Sequence, residues 1–97
     1  MATYCVLGSF TDQGVRNAKD TLKRADAFKG MAKKCGASVK EVYWAQEQYD
    51  IVAILEASDD LAVTSLALSV GALGNVRTET LRAFNKADME AIVSNVA

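Results

Sequence analysis

An α+β domain built on a four-stranded antiparallel sheet is the fold class this sequence predicts, and three observations carry it. Strand-like and helix-like segments follow one another in the order strand, helix, strand, strand, helix, strand. Both helical segments close on glycine, at Gly36 and at Gly71 or Gly74, before the chain turns into another β-branched run. The two middle strands are separated only by the polar stretch "AQEQ", which is hairpin spacing rather than the length of a crossover.

The first strand is "TYCVLGSF", Thr3 to Phe10. Its two alternating rows, Tyr4, Val6, Gly8, Phe10 and Thr3, Cys5, Leu7, Ser9, are both largely apolar, as in a strand covered on both faces. Thr11 and Asp12 then offer N-cap chemistry to a helix carrying Val15, Ala18, Leu22, Ala25, Phe28, Ala32 and Cys35 at three- and four-residue spacing. Asp20 and Thr21 lie inside it as a possible second cap, which would split the segment into a short turn and a longer helix. "SVKEVYW", Ser38 to Trp44, and "YDIVAILE", Tyr49 to Glu56, form the hairpin. Ser58 is expected to cap the next helix, with Asp59 and Asp60 in its first turn at the positive end of the dipole. "VRTETLRAF" from Val76 is the fourth strand, and Asn85 with Asp88 opens a terminal helix bearing Met89, Ile92, Val93 and Val96 on one face. The order is the split βαβ of ferredoxin-like domains, with a helix added at the end.

That topology puts both helices on one face of the sheet, yet the first and third strands are apolar on both faces. In the third, Ile51, Ala53 and Leu55 oppose Val52 and Ile54. An open apolar face of this size is uncommon on a monomer, so a homodimer packed sheet against sheet, or a higher homo-oligomer, is expected. The second helix repeats the pattern. Opposite its core stripe of Ala62, Val63, Leu66, Ala67, Val70 and Leu73 lie Leu61, Thr64, Ser65, Leu68, Ser69 and Ala72, without a charge. Either the terminal helix or another protomer should cover that side, and the stripe on the terminal helix favours the former.

The bulk numbers set limits. Its 97 residues are the length of one domain, residues 1–97, with a thin core that association would help. Eleven basic and twelve acidic residues are scattered to a net charge of -1, which leaves no footprint for nucleic acid or an anionic membrane. "MATYCVLGSF" has none of the parts of a secretory signal, and "LAVTSLALSVGAL" falls short of the ~20 residues needed to span a bilayer. A cytoplasmic protein is expected. Cys5 and Cys35 should be reduced thiols in the core. With no histidine in the chain, the commonest metal ligand and neutral-pH base are missing, so neither a metal nor a cofactor is expected.

"VKEVYWAQEQYDIVAILEASDD" and "LALSVGALGNVRTETLRAF" resemble the two signature blocks of the GYD domain family, and "FTDQGVRNAKD" extends the resemblance over nearly the whole chain. The resemblance implies a small, largely uncharacterised protein with a dimeric α+β barrel, ferredoxin-like fold. Related dimeric barrels include small isomerases, cofactor-free monooxygenases and haem-handling enzymes, a relation of fold alone. One departure stands out. The family pattern has a glycine close before the tyrosine, whereas Glu47 and Gln48 precede Tyr49 and Asp50 here.

The candidate chemistry gathers on Arg16, Asn17, Trp44, Tyr49, Asp50, Arg77 and Glu79. Strand parity sets Asp50 with Val52 and Ile54, and Arg77 with Glu79 and Leu81. If those rows lined one pocket, Asp50 or Glu79 could act as general base and Arg77 could clamp a carboxylate or enolate. Trp44 could then stack on a flat ligand, with Arg16, Asn17 and Tyr49 as further binding groups. Each residue also has a structural reading. Arg77 and Glu79 would guard an edge strand, Trp44 and Tyr49 would pair across the hairpin, and Asp50 would satisfy backbone donors of the turn. The sequence therefore supports an oligomeric small-ligand-binding or accessory protein. The alternative is a cofactor-free isomerase or monooxygenase acting on a small aromatic or oxo acid near Asp50 and Arg77.

Overall fold

A computed structural model describes residues 1–97. Its elements are β1 (Ala2–Phe10), α1 (Asp12–Arg16), a 3-10 turn at Ala18–Asp20, α2 (Thr21–Cys35), β2 (Ala37–Trp44), β3 (Ile51–Ala57), α3 (Asp60–Ala72), β4 (Val76–Ala83) and α4 (Lys86–Ser94). The four strands form one antiparallel sheet in the order β2-β3-β1-β4, as the split βαβ pattern requires. The predicted first helix is indeed divided: α1 is five residues long, and the break falls at Asn17–Asp20.

Local chemistry explains most of the ends. Thr11 Oγ1 accepts from the Gly14 N–H at 3.1 Å, which caps α1. Gly36 closes α2 in the left-handed region at φ 91, and its N–H reaches back to the carbonyls of Ala32 and Lys33. α3 is capped by Asp59 rather than by Ser58: the Asp59 carboxylate accepts from the Ala62 N–H at 2.9 Å and brings a full charge to the helix dipole. Asn85 and Asp88 form a reciprocal capping box on α4.

Register assigns the faces. Tyr4, Val6 and Gly8 of β1 and Ala53, Leu55 and Ala57 of β3 point toward α2 and α3, and with Ala32, Ala37, Ala62, Val63 and Leu66 they make most of the buried core. Leu55 and Leu66 are its two largest fully buried side chains. The other rows, Cys5 and Leu7 of β1, Val52 and Ile54 of β3, Glu79 and Leu81 of β4, share the outer face. In β2 the pairing slips between Val39 and Glu41, leaving Lys40 as the extra residue of a bulge. The bulge turns Val42 and Trp44 to the same side as Val39, toward the helices, and Tyr43 to the outer face beside Val52.

Three expectations are corrected. The terminal helix does not lie on α3: every residue of α4 except Asp88 is exposed, and Leu61 and Leu68 of α3 stand 77% and 70% open. An apolar stripe says that a helix face wants cover, not which surface supplies it. Leu73, placed in the core stripe from its spacing, is exposed because it lies past the last turn of α3, at its C-cap. Both cysteines are free, with Cys35 against the core and Cys5 on the outer face rather than inside. No helix is long and apolar enough to cross a membrane.

Candidate functional site

The seven residues singled out from the sequence fall into three places. Arg16 and Asn17 end α1, where Asn17 donates from its side-chain amide to the Gln13 carbonyl at 3.0 Å. Trp44 sits at the end of β2 on the helix side of the sheet, and its indole N–H donates to Thr21 Oγ1 at 3.0 Å. It therefore ties β2 to the start of α2, with Ile51 and not Tyr49 opposite it across the hairpin.

Tyr49 and Glu79 are brought together. The Tyr49 hydroxyl donates to Glu79 Oε2 at 3.0 Å, a contact between the hairpin and β4 across the end of β1. The acceptor holds the phenol in its neutral form, so the hydrogen bond and then the nearby negative charge push the Tyr49 pKa above the ordinary 10.0. Asp50 is occupied locally. Its Oδ2 accepts from the Phe10 N–H at 2.7 Å while its own N–H donates to the Gly8 carbonyl at 2.8 Å, so side chain and backbone together extend the β1–β3 ladder. Arg77 forms no salt bridge with Glu79; its Nη1 lies 3.5 Å from where a Cβ on Gly71 would stand, beside the C-terminal end of α3, where a cation suits the dipole.

Trp44 lines a shallow polar cleft between β2 and α2, and the more closed cavity lies elsewhere. A cavity of about 210 Å³ opens between the helix side of the sheet and helices α2 and α3, floored by Val6, Gly8 and Ile51 and walled by Phe28, Met31 and Val76. None of the seven residues lines it. Its one charged group is Arg24 of α2, which the sequence reading did not single out. A signal was present. Arg24 stands three residues after Thr21 and four before Phe28, on the inward stripe of the helix.

The turn that lacks the family glycine keeps the conformation a glycine would favour. Glu47 adopts φ 62, and it is the only non-glycine residue with a positive φ. The family model for the GYD domain matches residues 4–93. The chain belongs to the GYD domain family. A relative from Thermus thermophilus, named glutamine synthetase and cystathionine beta-lyase binding protein, is 30% identical over 92 residues, covering 94% of this chain and 97% of the relative. A crystal structure of a protein from the same organism superposes with a TM-score of 0.56 at 28% identity, over 88% of this chain and 95% of that one. A homoserine dehydrogenase from Thiobacillus denitrificans is alike in fold alone, with a TM-score of 0.55 at 15% identity, over 87% of this chain and 17% of the dehydrogenase.

Proposed function

We propose that this GYD domain is a non-catalytic accessory module that works as a homodimer, in the cytoplasm, and docks on larger metabolic enzymes. The observation that carries the reading is the outer face of the sheet. Cys5, Leu7, Val52, Ile54 and Leu81 form one apolar surface across β3, β1 and β4, with Tyr43 at its β2 edge, and no element of the chain covers it. Covering such a face with a second copy removes it from water by the same force that builds the core. The half of the reading that concerns docking draws on the Thermus relative named for binding two enzymes. It draws also on the uncharged outer side of α3, where Leu61 and Leu68 remain exposed.

Sedimentation at micromolar concentration tests it, with Leu81→Glu as the variant. Leu81 is 52% exposed in the isolated chain, so the fold itself tolerates the change. In a two-fold interface every substitution acts twice, and losing a buried leucine side chain costs about 1.5–3 kcal/mol per copy. The expected result is a dimer whose dissociation constant rises roughly 10²–10⁴-fold in the variant. A wild-type protein that sediments as a monomer, or a variant that dimerises unchanged, refutes the assembly.

A further inference from the structure

The cavity under the sheet carries a reading independent of the assembly, because it lies on the opposite side of the sheet from the outer face. We propose that it is a binding site for an uncharged apolar molecule the size of a single substituted ring, entered between α2 and α3.

The lining sets the chemistry. Eleven of the sixteen residues around the space are hydrophobic, so it favours hydrocarbon and gives ordered water few partners. Arg24, the one charged residue among them, is not free to receive an anion: Nη1 donates to the Asn17 carbonyl at 2.7 Å, Nη2 to the Gly14 carbonyl at 3.3 Å, and Nε is buried. A cation would meet that fixed positive charge, and an anion would give up its water for a lining with no free guanidinium donor. An uncharged body enters without either loss. Size narrows it further. An apolar cavity of about 150 Å³ accepts benzene, and this one, at about 210 Å³, has room for a ring with a short substituent. Phe28 supplies an aromatic wall and Met31 a flexible thioether that adapts to a ring.

Polar ties hold the space open. Protein interiors carry few voids larger than a water molecule, because an unfilled wall forfeits its dispersion contacts. Here the walls are fastened from outside. The start of α2 is held by the two Arg24 bonds and by the Trp44 indole N–H, which donates to Thr21 Oγ1 at 3.0 Å. The turn after α3 is held by the Thr11 N–H, which donates to the Asn75 carbonyl at 3.1 Å. Between these fastenings the residues on both sides are small: Ala25 on α2, Ala53 on β3 and Gly8 on β1. Gly8 has no room for a side chain, since a Cβ there would stand 3.0 Å from Val76 Cγ1 and 3.4 Å from Ile51 Cβ. The floor at that point is bare backbone. Ala27 of α2 and Leu73 past the end of α3 line the same space and are exposed, so its mouth lies between the two helices.

The test is a titration of the ¹⁵N-labelled protein with toluene, followed in amide spectra, with benzoate and benzylammonium as probes that keep the ring and add a charge of either sign. Saturable shifts at Gly8, Ala53 and Val76 are expected with toluene, and both charged probes should bind at least about tenfold more weakly. Ala25→Leu fills the space from the side of α2 and should weaken toluene by a similar factor, about tenfold or more. Shifts that do not saturate, shifts centred on Leu7, Val52 and Leu81 of the outer face, a charged probe bound as tightly as toluene, or unaltered affinity in Ala25→Leu each overturn it. Should Ala25→Leu fail to fold, the three probes on the wild-type protein decide alone. A protein that stays monomeric yet binds toluene in the cavity would sink the assembly and leave this site standing.

Discussion

Replacing Gly14 by alanine strikes the joint that holds α1 against the turn after α3. Gly14 is buried, and an added Cβ would stand 2.0 Å from the Asn75 carbonyl oxygen and 3.0 Å from its carbon. Contacts under 3.0 Å are essentially never made by real Cβ atoms, so helix and turn must part by about 1 Å. Two hydrogen bonds from Thr11 span that joint: Thr11 N–H to the Asn75 carbonyl at 3.1 Å, and Thr11 Oγ1–H to the Gly74 carbonyl at 2.6 Å. A separation of that size stretches both past useful length. Their loss costs about 0.5–1.5 kcal/mol each, and half-buried carbonyls left without a donor add to it. Alanine's better helix propensity returns about 1 kcal/mol. The net is a destabilisation of about 2 kcal/mol, which lowers Tm by about 8–16 °C in a domain this small. Gly30→Ala is the matched control. Nothing lies within 4 Å of its Cβ position in the middle of α2, so the same change there should raise Tm by about 2–8 °C. Thermal unfolding followed by circular dichroism measures both. A Gly14→Ala protein that melts at or above the wild-type temperature refutes the clash, whatever Gly30→Ala does.

The other expectations are simpler. Glu47→Gly should stabilise by up to about 1 kcal/mol in denaturant unfolding, because it relieves a left-handed residue in the exposed turn before Tyr49; a loss of stability would mean that the glutamate side chain contributes something the turn needs. Tyr4 donates its hydroxyl to the Asp60 carboxylate as Tyr49 does to Glu79, and both phenols ionise above the ordinary 10.0. The folded state then holds protons that the unfolded state has released, so this stabilisation is complete below pH 10 and declines as pH rises from 10 through the raised values. Tyrosinate absorbance should show it, and Glu79→Gln should bring one ionisation back toward 10; phenols that all ionise at or below 10 would contradict the two hydrogen bonds.

Most of the architecture was legible because the signals are local. Glycine at Gly36, the Asn85–Asp88 box and the alternating rows of β1 each act within a few residues. The Asp59 cap shows the resolution limit of such reading, since three adjacent residues, Ser58, Asp59 and Asp60, offered similar oxygen chemistry. Lys40 marks a different limit. The run "SVKEVYW" reads as a regular strand, and only pairing against β3 reveals that one residue bulges and turns Val42 and Trp44 to the helix side. The candidate site was less legible because its parts are set by packing. Parity set Val52 with Ile54 and, separately, Arg77 with Glu79, but whether either row meets a cavity depends on which layer lies over it. Arg24 was missed for a related reason. Its two bound nitrogens answer to carbonyls that converge only because the chain breaks at Asn17, which no charge pattern announces.

The position of β1 sets the order in which this domain can be finished. It is the second interior strand beside β3, yet it is synthesised before either of its neighbours: Cys5 must wait for Ile54 on one side and for Leu81 on the other. Until both arrive it has two open edges and two apolar faces, the combination most prone to pairing with the wrong chain. The β2–β3 hairpin closes over a short turn and can form early, whereas every rung of β1 spans more than forty residues. A sheet with its first-made strand inside folds late and all at once, and its rate is governed by loop closure rather than by the strength of any one contact.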